Sequence, residues 1–171
     1  MDVSAVLVDG YGRIQEEVRR VLRGLDDDLL SAVPEPGSNT IAWLVWHLTR
    51  VQDDHLADAF GGEQVWVAGG WSDRFALPLP VDDTGYGHSA AEVAAVRAPG
   101  ALLLEYHEAV HTRSVELLAA VTPAELDRIV DTRWDPPVTL GVRLVSVLAD
   151  DLQHVGQAAY LRGLLARRVS A

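Results

Sequence analysis

Four stretches of this chain carry apolar residues at three- and four-residue spacing, and breakers that no helix crosses stand between them. The first, roughly Val3 to Leu25, aligns Val6, Leu7, Ile14, Val18, Val21, Leu22 and Leu25. The second, roughly Thr40 to Phe60, follows the break PEPGSNT, with Ser38 or Asn39 as its expected N-cap and Gly61-Gly62 as its stop. Its opening, IAWLVWHL, is apolar on nearly every side, as in a helix buried between neighbours. The third, roughly Ala101 to Val121, has the stripe Leu103, Tyr106, Val110, Arg113 and Leu117. The fourth, roughly Val142 to Arg168, carries basic residues near its end, which suits the helix dipole. Short turns are expected at 27–32 and at the Thr122–Glu125 capping box, and the Pro136-Pro137 pair keeps DTRWDPPVTL extended. Strand signals are scarce. Four long amphipathic helices with one core predict an all-α four-helix bundle over a single domain, 1–171.

Residues 62–99 differ in kind. Glycines and prolines punctuate them, and Trp66, Trp71 and Phe75 lie among these. The segment reads as a long excursion between the second and third helices, with a short helix from Ala90 to Arg97. Its aromatics predict a packed lid. A link of this length leaves the bundle topology open.

The formal net charge of -11 argues against nucleic acid as a partner and against a basic membrane-binding patch. The N-terminus has no basic segment followed by an apolar block, and no apolar run approaches a membrane span, so the expected location is cytoplasmic. The chain has no cysteine, which excludes disulfides, thiolate metal ligands and a cysteine nucleophile. Any thiol chemistry must use a thiol that arrives on a small molecule.

On the fourth helix, Val147, Asp150, His154, Gln157 and Leu161 form one stripe. A carboxylate, an imidazole and an amide thus project from an otherwise apolar strip, and buried charge is costly unless paired or bound to metal. On the second helix His47 lies in the stripe Trp43, His47, Val51, Asp54, within the most apolar part of the chain. Facing ligands from two helices are how bundles build metal sites, and three protein ligands leave positions open for substrate. His47, Asp150 and His154 are therefore the candidate ligands, with an intrahelical Asp–His salt bridge as the bland alternative. Asp151 competes with Asp150, although it also reads as a solvated surface acid. His107 and His111 form a rival pair on what reads as the solvent face, and His55 and His88 have no evident partner. Gln157 and Trp43 are candidates to face substrate or cofactor, with Trp43 otherwise packing in the core. Arg113 and Arg74 are candidates to hold an anionic group, the first otherwise snorkelling and the second otherwise pairing with Asp73 or Asp83.

The segments NTIAWLVWHLTRVQDDH and LADDLQHVGQAAYLRGLL resemble the two signature segments of the DinB-like superfamily, most closely its actinobacterial branch of mycothiol-dependent enzymes. GWSDRF, TGYG and PPVTLGVRL add to the likeness, which spans nearly the whole chain. The resemblance implies a four-helix bundle holding a divalent metal, zinc or nickel, with His47 and His154 at matching positions. Asp150 falls where the family more often has histidine or glutamate. The resemblance further implies a low-molecular-weight thiol such as mycothiol as cosubstrate, an electrophilic second substrate, and pairing into homodimers. The expected activity is thiol S-transfer or isomerisation. Metal-activated hydrolysis and a non-enzymatic stress-related role stand as alternatives.

Overall fold

The computed structural model describes residues 1–169. Four long helices carry the fold: α1 (Val3–Leu22), α3 (Ile41–Phe60), α7 (Gly100–Ala119) and α8 (Leu140–Val169). Short helices intervene at α2 (Asp27–Leu30), α4 (Val65–Ala68), α5 (Trp71–Phe75) and α6 (Ala90–Ala95). The segment expected to be extended pairs as β1 (Ile129–Asp131) with β2 (Val138–Thr139), a small antiparallel hairpin that leads into α8. Among the described residues no helix is long and apolar enough to cross a membrane.

Both α1 and α3 pack against α7 and α8, so α1 lies diagonally across from α3. Side-chain pairs give the directions. Thr49 meets His107 and Gln52 meets Ser114, so α3 and α7 run parallel. His47 meets His154 while His55 meets Arg143, so α3 and α8 are antiparallel. Tyr11 reaches Leu144 and Val21 reaches Arg162, so α1 and α8 are parallel. Parallel neighbours cannot be joined by a short turn. The chain must climb back along a helix of 20 residues, about 30 Å, and that return is the work of residues 61–99. The topology that the sequence left open is thus up-down-down-up, with one crossover.

The helix ends follow from local chemistry. Thr40, rather than Ser38 or Asn39, caps α3, its hydroxyl accepting from Trp43 N at 3.1 Å. Gly61 ends α3 in the left-handed region at φ 65°, where a glycine has no Cβ penalty. The α3 face is buried on all sides over its first turns, as the IAWLVWHL pattern predicts.

The crossover is strapped to α3 from within. Arg50 is fully buried; its Nε donates to the Asp83 carbonyl at 3.1 Å and its Nη1 to Gln64 Oε1 at 2.9 Å. Asp53 accepts from the backbone N of Val65 and Trp66 and from the Tyr106 hydroxyl, at 2.7–2.9 Å. Trp66, Phe75 and Tyr106 pack ring against ring over this network, with Trp71 against Tyr106. Trp134 stands 66% exposed on the connection between the two hairpin strands. Arg50→Met would leave Asp53 without its buried cation, at 3.7 Å. It is expected to lower the unfolding free energy by about 3–5 kcal/mol in urea titrations.

Candidate metal centre

α3 and α8 bring His47, Asp150 and His154 together, and one ligand atom from each lies within 4.8 Å of the others. Donors around a single zinc ion sit within about 2.2 Å of it, hence no more than about 4.4 Å apart. Small side-chain rotations therefore suffice to close the set. The site lies at the bundle's edge. His47 is buried, while the side chains of His154 and Asp150 are 18% and 37% exposed.

Each imidazole is tied through Nδ1, which leaves Nε2 for a metal. His47 Nδ1 lies 2.5 Å from the Thr84 carbonyl oxygen, an acceptor only, so Nδ1 carries the proton. His154 Nδ1 donates to Gln157 Oε1 at 3.2 Å, and its Nε2 lies 3.6 Å from Asp150 Oδ1. The second carboxylate oxygen of Asp150 is buried and unpartnered. A buried acceptor with no donor, beside two imidazoles whose Nδ1 atoms are already engaged, is the arrangement a divalent cation would satisfy.

The electrostatics divide the two histidines. Burial pushes the His47 imidazole below its ordinary value, against the Thr84 carbonyl, which raises it. The neighbouring Asp150 carboxylate raises His154. Burial pushes Asp150 up, but His154 and His47 outweigh it and hold the carboxyl below the usual range.

The second carboxylate candidate lies elsewhere. Asp151 was expected to be a solvated acid if not a ligand; it is fully buried, with neither oxygen hydrogen-bonded. One residue on from Asp150, it is turned some 100° around the helix, into the interior where the Tyr11 phenol feels its charge. Burial, then the charge of Asp150, holds its carboxyl well above the ordinary range.

Trp43 walls the centre. Its indole stacks on His47 at 4.5 Å and 12°, and meets His154 edge-on at 6.1 Å and 89°. Gln157 is engaged with His154. Arg113 pairs with Glu116 at 2.9 Å in solvent. Arg74 pairs with Glu105 instead of Asp73 or Asp83, its guanidinium lying 4.2 Å over the Trp71 ring. The structure brings neither arginine to the triad. Beside Gln157, an open cleft of about 580 Å³ runs between the 37–39 loop, Leu44 and Tyr160, and among the described residues no charged one lines it.

Of the rival pair, His107 is not on the solvent face, while His111 is half-buried. α7 packs against both α1 and α3, so it buries two sides and His107 with them. Thr49 Oγ1 donates to Val45 O at 2.7 Å, so it accepts from His107 Nδ1 at 3.1 Å. Burial and nearby positive charge lower His107 to about 3. His55, whose partner the sequence did not reveal, accepts from Arg143 Nη1 at 3.1 Å; Arg143 in turn is held by Asp131 at 2.9 Å.

Sequence reasoning assigned no role at the centre to Asp83, Thr84, Gly85 or His88. Gly85 is required where it stands: φ is +93°, and a Cβ would lie 2.7 Å from His47 Nδ1 and 3.1 Å from Trp46. The two glycines of TGYGH were the available signal, since glycine can mark a positive φ or a close backbone approach.

The sequence profile described as DinB superfamily matches residues 11–158. A crystal structure titled as a conserved protein from Enterococcus faecalis superposes with a TM-score of 0.87 at 31% identity, covering 95% of this chain and 96% of that one. No curated protein matches the chain. The chain belongs to the DinB superfamily, whose members typically bind a metal.

Two measurements test this description. Gly85→Ala is expected to displace the Thr84 carbonyl from His47 and weaken zinc binding about tenfold, read by competition with a chromophoric chelator. Unfolded, His107 takes up its proton near 6.5, whereas folded it stays neutral down to about 3. In that window the unfolded chain holds the extra proton, so stability falls as pH drops below 6.5. His107→Gln is expected to flatten that acid limb, by up to about 1.4 kcal/mol per pH unit, in urea titrations of metal-free protein.

Proposed function

We propose that this protein is a metal-dependent enzyme that transfers or isomerises through a small-molecule thiol, with His47, Asp150 and His154 as the metal ligands. One observation carries the reading: two imidazoles tied through Nδ1 and a carboxylate with an unpartnered oxygen converge at a site partly open to solvent. Three protein ligands with an open side are the pattern of a catalytic rather than a structural site. Imidazole and carboxylate suit zinc or nickel. A divalent ion held there lowers the pKa of a coordinating thiol so that it is deprotonated at neutral pH.

The chain's own residues account for the rest. With no cysteine in the sequence, the nucleophilic sulfur must come from a cosubstrate, for which mycothiol is the proposed candidate. Thr84 and Gln157 fix the two imidazole tautomers. The uncharged cleft beside Gln157 offers room for the body of the thiol, and an electrophilic substrate approaches from the exposed side of Asp150 and His154. With Arg74 and Arg113 both engaged elsewhere, neither is assigned to ligand binding.

The test is turnover of 1-chloro-2,4-dinitrobenzene with mycothiol by zinc- or nickel-loaded protein, followed by thioether formation. Catalysis is expected from the native chain, and His154→Ala is expected to fall to the uncatalysed background. Equal rates with and without protein would remove the reading.

A further inference from the structure

We infer that His88, from the crossover, is a positioning residue for the metal centre, acting through Trp43. The inference rests on the reading of His47, Asp150 and His154 as metal ligands.

The donor and acceptor assignments admit one solution. An indole N–H can only donate, so Trp43 Nε1 donates to His88 Nδ1 at 3.0 Å. The His88 proton is then on Nε2, which donates to Asp83 Oδ2 at 2.8 Å. The other Asp83 oxygen accepts from Gly85 N at 2.7 Å, and the Asp83 carbonyl accepts from buried Arg50. A continuous chain of hydrogen bonds thus joins Arg50 to the indole stacked on His47.

Each link is also held in plane. The His88 side chain is only 4% exposed, and its ring stacks on Trp46 at 6.0 Å and 20°. Trp43 in turn lies flat on His47 and edge-on to His154. A swing of the indole would have to move both imidazoles.

A simpler account is that His88 merely satisfies a buried N–H. One turn along the same helix is a counter-example. Trp46 Nε1 is buried and has no protein acceptor among the described residues, so an indole N–H of this helix does not require one. What distinguishes Trp43 is its place against the two imidazoles. The segment 83–88 therefore serves as a fixed outer wall of the centre: Thr84 orients His47 directly, and His88 orients it through the indole.

The full chain, stripped of metal and titrated with Co²⁺, tests this through equilibrium dialysis and the visible ligand-field bands. Trp43→Phe keeps a ring on His47 but removes the donor; His88→Ala removes the acceptor. Each is expected to weaken Co²⁺ binding about tenfold and to shift the bands, and the double variant to bind no more weakly than the weaker single one. The urea midpoint of metal-free Trp43→Phe is expected to stay close to native, which separates positioning from loss of fold. Native affinity and spectrum in Trp43→Phe would overturn the inference, whether or not His88→Ala folds, and so would fully additive losses. Failure of the native chain itself to bind Co²⁺ has a different signature: it removes the metal reading, and this inference with it.

Discussion

The Arg50 guanidinium is buried where a charge is costly, and the crossover is built around it. Because α3 and α7 are parallel neighbours, the chain between them must run back along the bundle, taking its polar backbone over an apolar surface. Asp53 and Arg50 meet that backbone from the α3 side at 65–66 and at 83, Arg50 also holds the Gln64 side chain, and Tyr106 of α7 closes the network. Replacing such a pair by hydrocarbon could keep the volume but would give up the directional contacts that hold the segment in one place. That segment then supplies the carbonyl that meets His47.

The centre combines a rigid half with a softer one. His47 is buried, stacked under Trp43 and tied to Thr84, so both its position and its tautomer are set by packing. Asp150 and His154 are one helical turn apart on α8 and more exposed, and they attract each other across 3.6 Å. In the metal-free protein this attraction keeps His154 more basic and Asp150 more acidic than usual. Aspartate is one methylene shorter than glutamate, so Asp150 reaches less far from α8 toward His47. Asp151 shows what the same side chain meets a third of a turn away: a carboxyl with no donor, sealed in the core and pushed toward its neutral form.

Much of this was legible before the structure. The apolar periodicity marked all four long helices to within a few residues, because burying one face against neighbours is what makes a helix stable in a bundle. The stripes on α3 and α8 singled out His47, Asp150 and His154, since polar ligands on an apolar strip stand out against their surroundings. The expectations for His107 and Asp151 failed for a shared reason. Helical spacing tells which residues share a face; it does not tell how many faces a helix buries, and α7 and α8 each pack against two neighbours.

Composition and periodicity by themselves determined an all-helical, cysteine-free bundle with a polar cluster on two of its helices. Tertiary structure alone decided that α3 and α7 run parallel, that Arg50 lies at the heart of the crossover, and that residues 83–88 close over His47 and Trp43. Those contacts join residues more than 30 positions apart and include backbone carbonyls, which every residue carries alike. A carbonyl acquires a role only from where the fold delivers it.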